Sequence, residues 1–555
     1  MHLTTLSLLG IATVGRGGPV IEGDCVSTDD GLEWLSGVLS SGSAISCLGH
    51  PLQQSNSRRY WGTQFGKNAS VVVYPSTTQD VSLAVRAARR SPLGQDFAVV
   101  SGGHSQLNAS SAYGFVLDLS WLNRSRVVYD FKLDDGTGGS SSSSSSSIVT
   151  AIEYQGGATW GQIQTTTNGT GYTAIGARIA NVGAGGFSLG GGIGFLAGAY
   201  GFASDRLVQV EVVLPSGEVV LATRHNAHAD LLWALGGGSG QFGVVTRFWQ
   251  HAVAEPKKCS LGLYYIRDSD VPRLRDQTAA FFNTNTDPFS VVYYSFGYLP
   301  ADMSVDPPPA PETYAKRTLL ITVHLQDGSD PNPTEYVDAF RDLLSGLDTS
   351  KSALIQTPWY SDLVFVGEAA YPYGFRRGFY GAQTSHVDAA YLARLTARFD
   401  SYLTEQIRQG GDMPYSASLV VQYMFPRLNG HAPPTNNASA WPHATVGHQT
   451  LFTPAYRDAR NDHLALAALR DFNQITYDQQ QAASSSSSSS SAAGDLIWNY
   501  PNYASPGDDG TRVWGANVER LIELKEKYDP ACLLRRGLVF KSPGCERGNW
   551  GTVGI

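Results

Sequence analysis

The stretch Phe97-Ala-Val-Val-Ser-Gly-Gly-His-Ser105 sets an imidazole directly after two glycines at the end of a β-forming run. Glycines turn the backbone sharply and leave bare N–H groups, which suits an anion such as a pyrophosphate. His104 then sits beside a bound group rather than in a core. Taken alone, the stretch also reads as a strand-ending turn with a solvated histidine. Two more glycine loops follow, Asn181-Val-Gly-Ala-Gly-Gly-Phe-Ser-Leu-Gly-Gly-Gly-Ile-Gly194 and Gly236-Gly-Gly-Ser-Gly-Gln-Phe-Gly243. Three places where backbone must approach something closely point to a large, flat or extended ligand, with tight turns in a β-rich domain as the alternative.

Two other patterns carry less. Gly192-Ile-Gly-Phe-Leu-Ala197 fits a dinucleotide fingerprint formally, but it follows Gly-Gly-Phe-Ser-Leu-Gly-Gly, which is no strand, so it is not read as a nicotinamide site. His225 and His228 stand three apart without a third ligand, which is short of a metal site.

The elements that must position these loops alternate. Ala69 to Pro75 reads as a buried strand, and Ser76-Thr-Thr-Gln79 as a capping box opening a helix over Asp80 to Arg90. Phe97 to Val100, Gly114 to Leu119, Arg126 to Phe131, Ile148 to Gly157 and Val208 to Leu214 read as strands. Short helices follow Thr159 and span Asp230 to Leu235, and longer ones span Asp462 to Gln481 and Ala516 to Tyr528. The opening β-α-β unit makes the class α+β. Eight-serine tracts at Ser140–Ser147 and Ser484–Ser491 read as a floppy hairpin insert and as the return from one domain to another.

At 555 residues the chain is long enough for two or three domains, and 42% hydrophobic with 16% charged residues is a globular balance. A net charge of −8 with no basic stripe argues against nucleic acid. Asn181 to Ser204 carries no charge, yet Gly183 to Ala203 holds nine glycines, each costing a helix about 1 kcal/mol, so no membrane span is expected. The apolar run Leu3 to Val14 resembles the core of a signal peptide. Sequons at Asn68, Asn108, Asn123, Asn168 and Asn437 suit a secreted glycoprotein. Cys25 with Cys47 and Cys532 with Cys545 are expected as disulfides, leaving Cys259 free.

The ordered set Ser101-Gly-Gly-His-Ser105, Val182 to Gly192, Tyr200-Gly201 with Asp205, Asp230-Leu-Leu-Trp-Ala-Leu-Gly-Gly-Gly238 and Phe242-Gly-Val-Val-Thr246 resembles the FAD-linked oxidases of the vanillyl-alcohol-oxidase (PCMH-type) family. Trp514-Gly-Ala-Asn517 and Lys527-Tyr-Asp-Pro530 are similar to its berberine-bridge-enzyme-like branch. The likeness covers Tyr60 to about Phe248 and Leu496 to Phe540. It implies a PCMH-type FAD-binding domain split in sequence around an intervening α+β substrate domain; with the apolar N-terminal run read as a signal peptide over 1–23, the FAD domain is expected over 24–252, the substrate domain over 253–494 and a return over 495–555.

The resemblance implies that His104 carries FAD through its 8α-methyl group. It implies contacts to FAD from Ser101, Gly102, Gly103, Ser105, Gly183, Gly185, Gly186, Gly192, Val244, Asn502 and Asn517. Ile179 stands where many relatives place a second, cysteinyl tether, so a single bond is expected. Val100 stands where many place an arginine, removing one polar contact. Tyr500-Pro-Asn-Tyr503 looks like the family's aromatic-Asn-Tyr element, making Tyr503 the leading base and Tyr500 a helper, or else two packed tyrosines. Gln422 and Tyr423 are lesser candidates on opposite sides of a strand. Arg376 and Arg377 are placed either on an anionic substrate or on the surface. The implied activity is oxidation of a small alcohol, sugar or secondary metabolite, with dioxygen as acceptor; a flavin-fold binding protein without turnover is the alternative.

Overall fold

The computed structural model describes residues 18–134, 148–299, 315–326, 328, 334–369, 373–409, 417–424, 438–444, 446–486, 497–506, 508, 510–538, 540, 542 and 545. The signal-peptide run, the tract Ser140–Ser147, most of Ser484–Ser491 and the sequon at Asn437 lie outside these residues.

The first sheet joins β1 (Val20–Glu22), β2 (Ala44–Cys47), β3 (Val71–Tyr74), β4 (Phe97–Val100) and β5 (Phe115–Asp118) in the order β1-β2-β3-β5-β4. Strand β5 pairs in parallel with both β3 and β4. The crossover from β3 to β4 is the helix Thr78–Arg90, whose Val81, Ala84, Val85 and Ala88 face the sheet. Its capping box is one residue later than the sequence suggested. Thr77 is the N-cap and Asp80 the reciprocal acceptor, because the Asp80 carboxylate also collects Ser40 and Ser76 from the neighbouring loops.

The second sheet is antiparallel. It joins β6 (Ser125–Lys132), β7 (Ile148–Gln155), β8 (Leu207–Val213), β9 (Val219–Thr223) and β10 (Val244–His251) in the order β9-β8-β10-β7-β6. The His104 loop leaves β4 of the first sheet, and the Gly236–Gly243 loop leads into β10 of the second.

The third sheet is larger and wholly antiparallel. Its strands are β11 (Lys258–Ile266), β12 (Ser290–Leu299), β13 (Ala315–Gln326), β14 (Ser352–Thr357), β15 (Tyr380–Thr384), β16 (Ser418–Gln422) and β17 (His448–Thr453), ordered β14-β11-β13-β12-β16-β17-β15. Period-two alternation gives it two apolar faces. Tyr264, Val292, Tyr294, Phe296, Leu320, Leu419 and Val421 pack against the helices Val271–Thr284, Ala389–Arg408 and Asp462–Ser486. The alternate residues Leu261, Leu263, Leu319, Ile321 and Val420 face a cavity shared with the first two sheets.

After the third sheet the chain returns to the second. Trp514 Nε1 donates to the Gly237 carbonyl at 2.8 Å, and Tyr528 OH donates to Asp230 at 2.7 Å. At the foot of the helix Asn517–Tyr528 lies a fully buried ion pair. Lys525 Nζ donates to Asp529 at 2.7 Å and to the carbonyls of Gln241 and Leu534, while Asp529 accepts the N–H groups of Leu533 and Leu534. Every charge in this knot has a partner, so it ties the return to the Gly236–Gly243 loop without leaving a bare ion.

Cys25–Cys47 and Cys532–Cys545 form disulfides and Cys259 is a buried thiol, as the spacing suggested. Among the described residues no helix is long and apolar enough to cross a membrane.

Removing one partner of the knot strands the other. Lys525→Met should cost about 3–5 kcal/mol of unfolding free energy, the usual loss when a buried pair is broken. A urea titration showing a loss under about 1 kcal/mol would mean that water reaches Asp529.

Candidate active site

The loop after β4 is pinned by three groups. Ser101 Oγ donates to the Gly156 carbonyl at 2.7 Å, and Trp61 N–H donates to the Gly103 carbonyl at 3.1 Å. The Arg59 guanidinium reaches the Ser101 carbonyl and the carboxylate of Asp118 at the end of β5. Asp118 is fully buried and also accepts from Asn56 at 2.7 Å. Val100 is a buried core residue, as its apolar type requires. The cation that steadies this loop therefore comes from Arg59, at the end of the helix Pro51–Arg58, rather than from position 100.

The second glycine loop lies against the first. A methyl group on Gly102 would collide with the Gly183 nitrogen, and one on Gly183 with the Gly102 nitrogen. Gly103 needs its positive φ of 75° for the chain to turn toward His104. A methyl on Gly186 would meet nothing within 4 Å, because that backbone borders open space.

That space is a cavity of about 1150 Å³ bounded by all three sheets, large for a drug-sized ligand and of a scale for a dinucleotide with a second molecule beside it. Ser101, Gly102, Gly103, His104, Ser105, Gly183, Gly185, Gly186, Val244, Asn502, Tyr500 and Tyr503 all line it. Two expected contacts do not. Gly192 faces Ala203 and Phe187, and its N–H is bound to the Tyr500 hydroxyl. Asn517 is buried at the start of its helix, where Nδ2 donates to the carbonyls of Ser439 and Ala440.

His104 stacks on Trp61 at a ring separation of 5.4 Å, and the Arg377 guanidinium lies over the Trp61 ring at 4.9 Å. Burial, with the positive charges of Arg377 and Arg59, lowers the His104 pKa to about 3. Its Nε2 is buried without a hydrogen-bond partner. The imidazole is thus neutral and carries an unsatisfied nitrogen beside the cavity, a poor arrangement for an empty core and a suitable one for a covalent or bound partner.

Across the cavity, the short turn Pro501–Tyr503 presents two phenols with different surroundings. The Tyr500 oxygen accepts from Gly192 N at 3.0 Å, Ile193 N at 3.2 Å and Asn502 Nδ2 at 2.9 Å. Burial raises its pKa, and three donors commit the oxygen to holding the Gly190–Ile193 turn. Tyr503 sits edge-on to Tyr500 at 4.7 Å and against Phe379 at 5.0 Å, with its hydroxyl bound by Arg178. Burial raises the Tyr503 pKa as well, and Arg178 opposes that rise. Arg178 also donates to Tyr293 on β12 at 3.0 Å. Gln106 closes the ring of elements: its side chain takes the Phe379 N–H and donates to the Asn502 carbonyl at 3.3 Å.

The lesser candidates lie elsewhere. Tyr423 packs among Phe281, Phe282 and His448, with its hydroxyl on Asn285, and Gln422 turns to the Met424 sulfur. Arg376 is paired with Asp462, Nε to Oδ1 at 2.7 Å, and Arg377 is buried against Trp61 and Phe375. Neither arginine is a surface residue or a cavity ligand. Among the described residues no cluster of His, Cys, Asp and Glu is arranged to hold a metal ion, which covers His225 and His228. Sequence reasoning missed Arg178, Tyr293 and Trp61. Arg178 had a signal, being the single charged residue between Glu153 and Asp205.

Residues 69–223 match the family described as FAD binding domain, and residues 498–536 match the one described as berberine and berberine like. These two stretches, one early in the chain and one near its end, are the parts in which it is similar to FAD-linked oxidoreductases and to berberine-bridge-enzyme-like proteins. A FAD-dependent monooxygenase of Fusarium proliferatum is 34% identical over 192 residues, which is 34% of this chain and 33% of that protein. A FAD-dependent monooxygenase of Emericella nidulans is 32% identical over 263 residues, 47% of this chain and 51% of its own length. The chain thus spans about a third to a half of the curated relatives it matches. Two solved structures share the fold: BBE-like 1 of Physcomitrella patens (TM-score 0.68, 15% identity, 90% of this chain and 97% of that one) and a glycopeptide hexose oxidase complexed with teicoplanin (0.67, 18%, 90% and 99%).

The FAD binding domain matched over residues 69–223 implies FAD as the cofactor, and the residues present fit it. The Gly102–Gly183 contact leaves bare backbone on the cavity wall, Gly186 borders open space, and the unsatisfied His104 nitrogen lies on the same wall.

His448, at the start of β17 with its ring buried against Phe282 and Tyr423, is held neutral as His104 is, its pKa lowered to about 3 by burial. The unfolded chain binds these protons below about pH 6.5 and the folded chain does not until about pH 3. Their contribution is complete above pH 6.5 and is lost as the pH falls toward 3. Urea midpoints at pH 7.5, 6 and 4.5 should therefore drop more steeply for the unmutated chain than for His448→Gln. Parallel slopes would show that His448 takes up its proton in the folded state.

Proposed function

We propose that this flavoprotein oxidises a small organic molecule at a CH–OH carbon, with FAD tethered to His104 and dioxygen as the terminal acceptor. FAD supplies the two-electron acceptor. The chain supplies a dry cavity, a fixed substrate position and a base for the proton released at oxygen.

Tyr503 is the proposed base. A phenol near pKa 10 serves only when its surroundings favour the phenolate. Burial raises the Tyr503 pKa, and Arg178, held at the Tyr503 oxygen, supplies the positive charge that favours the phenolate and opposes that rise. Phe379 and Tyr500 fix the ring, so the oxygen cannot swing away from the cavity. Tyr500 supports the site as a structural acceptor. The observation that carries this reading is the placement of Tyr503 and His104 on the walls of one cavity, with Arg178 at the phenol.

His104 is proposed to form the single tether, since Ile179, which also lines the cavity, offers no thiol. Secretion is proposed from the two disulfides, the apolar N-terminal run and the exposed sequons at Asn68 and Asn123. Asn168 is a poorer acceptor, because its Nδ2 donates to Ser361 at 2.8 Å.

Acid-precipitated protein should stay yellow, and His104→Ala should release its flavin on the same treatment; a yellow supernatant from the unmutated protein would rule the tether out. Tyr503→Phe removes the hydroxyl and keeps the ring. In anaerobic mixing it should slow flavin reduction about 10²-fold with flavin content unchanged, the usual scale for a general base. Reduction at the unmutated rate would place the base elsewhere. Expression in a eukaryotic host should yield protein whose mass falls on glycosidase treatment, and an unchanged mass would count against the secretory route.

A further inference from the structure

The pairing registers of the third sheet fix what lies along the floor it gives the cavity. Tyr293 on β12, beside Arg178, stands opposite Ile321, Ile321 opposite Leu263, and Leu263 opposite Ala353 on the edge strand β14. Three interstrand spacings make this row about 14 Å wide. The next row runs Ser295, Leu319, Tyr265 and Lys351, with Tyr265 N–H donating to the Lys351 carbonyl at 3.0 Å. One more step of alternation brings Arg317 of β13 onto the same face, about 13 Å along the strand from Ile321.

The floor therefore changes character with distance from Tyr293. Ile321, Leu263 and Leu319 make its middle aliphatic, and its far end carries two cations from the strands on either side of Tyr265. Lys351 lines the cavity at the exposed edge. The Arg317 guanidinium lies over the Tyr265 ring at 6.0 Å, and its Nε is buried without a hydrogen-bond partner. The neighbouring cations Arg267 and Lys316 are paired, with Asp348 and Asp400; among the described residues Lys351 and Arg317 have no such carboxylate. Two like charges on one wall repel each other, and an anion settling between them relieves that cost.

We infer that the cavity takes an elongated substrate with a carboxylate at the end remote from the reacting carbon, held by Lys351 and Arg317 while its apolar middle crosses the aliphatic rows. The inference rests on the proposed oxidation site, which fixes the near end. Each carboxylate oxygen accepts a charge-assisted bond from one of the two cations.

The flavin-loaded full chain is titrated under nitrogen with 12-hydroxydodecanoate, its neutral methyl ester and 6-hydroxyhexanoate, with heat reporting binding and the flavin band reporting reduction. The long acid should bind about 10- to 100-fold tighter than its ester, the range of charge-assisted bonds. It should also bind at least about 10-fold tighter than the short acid, which covers fewer of the aliphatic rows. Lys351→Met combined with Arg317→Met should abolish the advantage over the ester and leave the affinity of the ester unchanged. Lys351 is exposed on an edge strand, so Lys351→Met alone serves should the double variant fail to fold, and it should weaken the long acid about 3-fold. Equal affinity for acid and ester, equal affinity for the long and short acids, or an acid preference that survives these substitutions would overturn the inference. Acid preference through these cations in a chain whose flavin no alcohol reduces would refute the oxidase reading and leave this one standing. Flavin reduction without acid preference would do the reverse.

Discussion

Gly102 and Gly183 meet backbone to backbone, and neither position has room for a side chain. That contact joins the loop leaving β4 in the first sheet to the loop that opens the helix Ala184–Leu189 beside the second. Each half is braced separately, Ser101 by the Gly156 carbonyl and Arg59, Gly183 by its bridge to Thr159. Because both sheets are stiff, the wall made where they touch is stiff too, and it is lined by backbone rather than by mobile side chains. The cavity, the exposed edge at Gly186 and the position of His104 follow from this junction.

Electrostatics then divides the cavity. At one end stands a neutral imidazole, kept so by burial and by Arg59 and Arg377, and at the other a buried cationic guanidinium whose partners are two phenols. The long links Arg178–Tyr503 and Gln106–Asn502 show why the chain must return to its first part. The residues at the substrate end come from three separated stretches that only the closed fold brings together. The Lys525–Asp529 knot and the Trp514–Gly237 bond hold that return in place.

Local patterns were legible where one chemical rule decided them. The apolar runs at 71–74, 97–100 and 207–213 had no reading except strand, and the glycine loops announced close approach before any partner was visible. The capping box moved by one residue because Asp80 serves neighbouring loops as well as its own helix, a tertiary demand no local rule contains. Gly192 and Asn517 were placed on the cofactor by their neighbours in sequence, and both are spent on internal packing instead. Tyr500 and Tyr503 could not be separated in sequence, since their difference lies in who donates to each oxygen. Arg178 was visible as a lone charge in fifty uncharged residues, about the only trace the substrate end left. The floor of the third sheet was hidden, because strands buried on both faces show apolar runs without saying which face meets a ligand.

The junction of the two glycine loops is the claim on which the rest depends, and the visible absorbance of purified protein, unmutated and Gly183→Ala, tests it directly. The account predicts flavin bands at about one FAD per chain in the unmutated protein, and less than about a tenth of that in a Gly183→Ala variant that keeps its circular dichroism, since the added methyl must push the two walls apart. Colourless unmutated protein, or full flavin content in Gly183→Ala, would contradict it.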